Sequence, residues 1–310
     1  MAIVAQLVRA SACGAEGRRF ESGLSPHFTS MFRSTVIVIY LLIGFPTVSF
    51  GFSYVAGKIP VHEHLNLSYG EHPDHLLDVV TSPKCEESAV VIFVHGGSWR
   101  WGKKDYHRTI GRQLARRGIL FVTVNYRLFP KVRFPVFPQD IANSVKWVIE
   151  NVVKFGGDPG KIFLMGHSAG AHSVSLVGLD SQYLKKHGGN LKWIRGVIPI
   201  ACPFLFEPSK EFLYRELFPE GIELDRLMPM NLAKAENSPP FLIMHGLFDP
   251  LIPKEQAFEF ARKIIGAGGS AKVRLYSSHG HFSLIRRTTS WHIWPQPLLR
   301  DLISFINSES

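Results

Sequence analysis

The chain has 310 residues, 45% of them hydrophobic and 19% charged. This composition excludes a disordered chain, and the length accommodates one α/β domain of about 250 residues plus an appendage. The formal net charge is +10, but the basic pairs at 103–104, 116–117, 185–186 and 286–287 are scattered among apolar and turn residues. A nucleic-acid face would gather them on one element, so no nucleic-acid partner is expected; solubility or attraction to an anionic membrane surface are the uses left.

Residues 1–30 contain "AQLVRASACGAEGRRFES", which resembles the peptide read from a transfer-RNA gene. The stretch "RRFES" can be encoded as AGG-AGG-TTC-GAA-TCC, which carries the T-arm sequence. Residues 1–30 are therefore expected to be a non-native or disordered extension, with Met31 as the true start. From Ser34 to Gly57 run 24 residues without a charge, more than the roughly 18–20 that a spanning helix needs. Gly44 and Pro46 do not exclude such a helix. Residues 31–59 are expected to form a signal peptide or membrane anchor, with 35–56 in the membrane. No A-x-A cleavage site is evident; Val55-Ala56-Gly57 is the nearest small-residue stretch, which favours an anchor. Arg9, Arg18, Arg19 and Arg33 precede the run and Lys58 follows it, so the positive-inside rule puts the following domain on the non-cytoplasmic side. Asn66-Leu67-Ser68 is a glycosylation sequon, meaningful only where that side faces a eukaryotic lumen.

From about residue 70 strands and helices alternate. Buried parallel strands are expected at "AVVIFV" (89–94), "ILFVTV" (119–124), "KIFLMG" (161–166), "RGVIPIA" (195–201), "PFLIMH" (240–245) and "AKVRLY" (271–276). Helical stretches lie at 105–118, 138–156 and 253–269. In the second of these Ile141, Val145, Val148 and Val152 share a face and Gly156-Gly157 ends it. The alternation predicts an α/β domain over 60–310, with a mostly parallel central sheet and helices on both faces. Residues 202–238, rich in Phe, Leu and Pro, are too long for a plain connection and are expected to form a cap of one or two short helices over the carboxyl ends of the strands. Cys13, Cys85 and Cys202 form no metal spacing and no CxxC pair; Cys85 and Cys202 can bridge only if the fold brings them within reach.

"FLMGHSAGAH" holds Gly166-His167-Ser168-Ala169-Gly170. An apolar strand runs into it and small residues open a helix after it, the strand–turn–helix of a nucleophile elbow. Upstream, "FVHGGSWRWGKK" follows another strand, and His95-Gly96-Gly97-Ser98 can turn backbone N–H groups toward a ligand. Gly97 and Ser98, with Ala169 after the serine, are the expected oxyanion donors; His95 is expected to anchor the loop rather than act as a base. A serine needs a histidine to take its proton and a carboxylate to orient that histidine. In folds with such an elbow the order along the chain is serine, acid, histidine. Asp249, just past a strand, fits this order, whereas Asp225 lies in the cap and Asp301 follows both late histidines. Those two, His279 and His281, both remain open on this reading. Trp99 and Trp101 point either to an apolar substrate side or to the core.

The stretches "HGGSW", "VNYRLFP", "FGGDPGKIFLMGHSAGAH", "MHGLFDPLIP" and "AKVRLYSSHGHF" resemble the α/β-hydrolase superfamily over residues 60–307. They are most similar to the group holding isoprenylcysteine methylesterase-like carboxylesterases and kynurenine formamidases. The resemblance implies an α/β-hydrolase fold and places the base five residues after the tyrosine ending "KVRLY", at His281, with Phe282 completing a His-Phe pair. His279 is then a neighbouring polar loop residue. The function implied is a serine carboxylesterase acting on a small or hydrophobic ester through a Ser168–His281–Asp249 triad. The alternatives are an aryl formamide hydrolase like kynurenine formamidase, or a non-catalytic binding protein of the same fold. No cofactor or metal is implied.

Overall fold

The computed structural model describes residues 59–310 apart from 211–213, 219–220, 222, 234–237 and 290–296. These lie in the unit Gly57–Ser310. The extension 1–30, the uncharged run Ser34–Gly57 and its expected membrane segment 35–56 lie outside the described residues.

Eight strands form one sheet: β1 (His62–Ser68), β2 (Leu76–Thr81), β3 (Ser88–Val94), β4 (Leu120–Val124), β5 (Gly157–His167), β6 (Gly196–Ile200), β7 (Phe241–Gly246) and β8 (Ala271–Tyr276). Their order is β1-β2-β4-β3-β5-β6-β7-β8. The strands from β3 to β8 run parallel, while β1 pairs antiparallel with β2 and β2 antiparallel with β4. The six expected strands are all present. The antiparallel pair at the edge is additional, and its sequence explains why it is hard to read. β1 is "HEHLNLS" and mostly exposed, so it lacks the apolar run of a buried strand. β2 carries Asp78 in its middle, wholly buried, and a buried carboxylate is tolerated only when paired. Lys104 Nζ donates to Asp78 Oδ1 at 2.7 Å and Arg108 Nε to Oδ2 at 2.8 Å. Neither partner is near Asp78 in sequence.

The helices are α1 (Arg108–Ala115), α2 (Val136–Asn151), α3 (Ala169–Leu179), α4 (Gln182–Lys185), α5 (Leu224–Leu227), α6 (Pro229–Leu232), α7 (Glu255–Gly266), α8 (His281–Thr289) and α9 (Pro297–Glu309). In α2, Ile141, Val145 and Val148 are fully buried, as is Val152 in the 3₁₀ turn that follows. Gly156, at φ 88°, ends that turn in a left-handed conformation that suits glycine. α3 is buried on every side, in keeping with its small and apolar sequence "AGAHSVSLVGL".

Register fixes the position of the site. Val94 pairs with Gly166, Gly166 with Pro199, Ile200 with Met244, and Gly246 with Tyr276. The loops that leave β3, β5, β7 and β8 therefore emerge side by side at the carboxyl edge of the sheet, where open α/β sheets bind ligands. Cys85 lies at the opposite edge, in the turn before β3, and Cys202 directly follows β6. Both thiols are buried and free, so the sheet keeps them apart. Among the described residues of the cap, α5 and α6 are the short helices, and Met230 N–H donates to Phe204 O at 3.0 Å.

Candidate active site

Ser168 stands between β5 and α3 at φ 54°, ψ −119°, a conformation that pushes its side chain out of the turn. Its N–H donates to Ile200 O at 2.9 Å. The flanking glycines make the turn possible. A Cβ on Gly166 would lie 2.5 Å from the Gly170 carbonyl oxygen. One on Gly170 would meet the Val94 carbonyl and lie 2.5 Å from His95 O. Ordinary side chains cannot approach backbone that closely.

The structure brings Ser168, His281 and Asp249 together. His281 Nε2 is 2.9 Å from Ser168 Oγ, and His281 Nδ1 is 2.8 Å from Asp249 Oδ2. His281 opens α8 and is 3% exposed. Asp249 Oδ1 accepts N–H bonds from Leu251 at 2.9 Å and Ile252 at 3.0 Å. Burial opposes the Asp249 charge, but its bond to His281 and the two N–H donors outweigh it and hold the carboxyl below its ordinary range. His245 Nε2 lies 3.6 Å from Asp249 Oδ2; burial keeps that imidazole neutral to lower pH than usual despite the carboxylate.

His279 takes another place. It is buried, its carbonyl accepts from Phe248 N–H at 3.0 Å and its own N–H donates to Tyr276 O at 3.2 Å. It thus joins the loop carrying Asp249 to the loop carrying His281 through main-chain bonds.

The HGGSW loop folds against the elbow: a Cβ on Gly96 would lie 3.1 Å from Ser168 Cβ. Gly97, Ser98 and Trp99 all have positive φ, at 118°, 51° and 55°. Two consecutive non-glycine residues in that region are strained. What holds them is Trp99, which is 1% exposed and belongs to the core rather than to an open substrate face. Its Nε1–H donates to Ser173 Oγ at 3.2 Å, and its ring packs against Phe137, His172, Phe206, Tyr214 and Phe218. Trp101, in contrast, is exposed. Among the described residues the N–H groups of Gly97 and Ser98 donate to no protein acceptor. Ala169, as the first residue of α3, has no intrahelical one. His95 stacks on Tyr126 with ring centroids 4.7 Å apart and bonds Gly96 O through Nδ1 at 2.8 Å. Burial pushes its pKa down to about 4, so it anchors the loop as a neutral group.

Two features of the site were not anticipated from the residues. One is the role of Trp99 as the lock on the strained loop. The other is His167, whose Nε2 bonds the main-chain oxygen of His281 at 3.0 Å. The only signal for the second was an imidazole in the variable position of GxSxG.

The sheet order and the elbow at its carboxyl edge can be compared with known folds. Esterase B from Lactobacillus rhamnosis superposes with a TM-score of 0.69 at 20% identity, covering 99% of this chain and 95% of that one. Esterase 2 from Thermogutta terrifontis gives 0.66 at 21%, covering 81% and 95%. The chain has the α/β-hydrolase fold. The BD-FAE family profile matches residues 77–193 of the chain. A probable isoprenylcysteine alpha-carbonyl methylesterase of Arabidopsis thaliana is 31% identical over 240 residues, 71% of this chain and 57% of that protein. Esterase LipC of Mycobacterium tuberculosis is 31% identical over 222 residues, 63% of this chain and 53% of that protein. The chain spans little more than half the length of these two relatives.

Proposed function

We propose that this α/β-hydrolase is a serine carboxylesterase that cleaves a small or hydrophobic carboxylic ester through an acyl-enzyme. The observation that carries the reading is the unbroken line Ser168 Oγ, His281 Nε2, His281 Nδ1, Asp249 Oδ2, with links of 2.9 and 2.8 Å. In this reading Ser168 Oγ attacks the ester carbonyl carbon as His281 Nε2 takes its proton. Asp249 accepts from His281 Nδ1 and stabilises the imidazolium. The N–H groups of Gly97, Ser98 and Ala169 receive the negative oxygen of the tetrahedral intermediate. His281 then protonates the leaving alcohol as the carbon–oxygen bond breaks. Water, deprotonated by His281, attacks the acyl carbon; the bond to Ser168 Oγ then breaks, His281 returns the proton to Oγ, and the acid is released. The esterase and methylesterase names of the relatives support the same reaction class.

The test is labelling by a fluorophosphonate probe, with wild type modified and Ser168→Ala inert. An unlabelled wild type would return the chain to the binding-protein alternative. Comparing p-nitrophenyl acetate, a prenylcysteine methyl ester and N-formylkynurenine then assigns the acyl and leaving groups; turnover of the last alone would make it an aryl formamide hydrolase. We further propose that the uncharged run Ser34–Gly57 anchors the chain in a membrane, with the hydrolase domain on the non-cytoplasmic side, supported by the length of the run and its flanking arginines. Release of the full chain by alkaline carbonate washing, or loss of the domain when protease is added to the cytoplasmic side, would refute this.

A further inference from the structure

His167 ends β5, immediately before the nucleophile, and is 5% exposed. Its Nε2 lies 3.0 Å from the carbonyl oxygen of His281. A carbonyl is only an acceptor, so the imidazole bears its hydrogen on Nε2 and donates it. That carbonyl also lies in the first turn of α8; its two lone pairs allow both bonds. Two consecutive residues therefore grip one histidine at both ends: Ser168 Oγ meets the His281 imidazole and His167 meets the His281 main chain. The His167 ring also abuts the oxyanion loop, since a Cβ on Gly96 would lie 2.9 Å from its Nδ1. The rings of His167 and His281 are 5.0 Å apart, and a charge on His167 would oppose the imidazolium that His281 becomes in turnover. Burial, together with that neighbour, pushes the His167 pKa down to about 3, so in neutral solution it donates without carrying charge.

We propose that His167 is a positioning residue for the base, fixing the main chain of His281 by a neutral Nε2–H bond so that the imidazole stays aligned on Ser168. This rests on the serine esterase reading. His167→Gln can set an amide donor near the place of Nε2, His167→Asn is polar but too short to reach, and His167→Met fills the space without a donor. In the full-length protein with p-nitrophenyl acetate, His167→Met and His167→Asn are expected to lower kcat by about 10- to 100-fold with KM little changed, as a misplaced catalytic group does. His167→Gln is expected to recover most of kcat, and fluorophosphonate labelling rates to follow the same order. If His167→Met does not fold, the Gln and Asn pair carries the comparison. Wild-type kcat in His167→Met or His167→Asn, or equal losses in the Gln and Asn variants with matching falls in Tm, would overturn the assignment while leaving the esterase reading intact. A wild type that the probe does not label overturns both.

Discussion

Ser168 holds φ 54°, a left-handed value that costs an L-residue about 1–3 kcal/mol and persists only where its surroundings enforce it. The enforcement here is visible in the Ile200 acceptor for its N–H and in the close backbone that the two glycines permit. The same economy of position separates the two late histidines. His281 touches both Ser168 and Asp249, whereas the main chain of His279 bonds Phe248 and Tyr276. Under the proposed mechanism, His281→Ala is expected to lower kcat by about 10⁴-fold or more. His279→Ala is expected to keep kcat within about tenfold while lowering Tm, because it empties a buried site. Steady-state kinetics with thermal melts on both variants checks this; the reverse ranking would mean that the base has been misassigned. Spacing from "KVRLY" distinguishes the two only through a family resemblance. In the fold, the separation arises because α8 begins at 281 and turns that side chain back over Ser168.

At the scale of elements, β5 and α3 meet in a turn whose tolerance is set by glycine. Gly170→Ala would drive a methyl group into the Val94 and His95 carbonyls, forcing β3 and α3 apart. A loss of about 1–3 kcal/mol or more is expected, read as a lower denaturant midpoint, and an unchanged midpoint would contradict the packing described. This turn was legible in the sequence because its requirements are local: a strand, two glycines and small residues within ten positions. So were the six parallel strands, each a continuous apolar run. What was not legible depends on distant partners. Asp78 interrupts β2 and is tolerated there only because Lys104 and Arg108 reach it across the fold. Trp99 reads equally as a substrate wall or as core until Ser173 and the cap aromatics surround it. The HGGSW loop was legible as a glycine-rich turn after a strand, but its strain at Ser98 and Trp99 was not.

At the scale of the whole molecule, buried histidines shape the response to acid. Burial pushes His95 down to about 4 and His167 and His172 down to about 3. In the unfolded chain each titrates near its ordinary value of about 6.5. Between that value and the folded one the unfolded state binds more protons, so stability rises with pH there. The stabilisation is complete above about pH 6.5 and is lost progressively as pH falls toward the folded values. Each such group can contribute up to about 1.4 kcal/mol per pH unit. Asp78 and Asp249, both held below their ordinary range, extend the loss below about pH 3.9. Denaturant midpoints should therefore fall steadily from pH 6.5 to 5, and His172→Gln should make that slope shallower. A midpoint flat across this interval would mean that the imidazoles are not sealed from water.

The cap segment between β6 and β7 has a bearing on how such a protein diversifies. It supplies none of the three residues of the hydrogen-bonded line, yet Phe206, Tyr214 and Phe218 from it close around Trp99, the neighbour of Ser98. Replacement of the segment by one of different length or sequence would leave the line intact while changing what packs against Trp99. Such an exchange carries one constraint: the replacement must still offer Trp99 an aromatic seat, or the strained backbone at Ser98 and Trp99 relaxes.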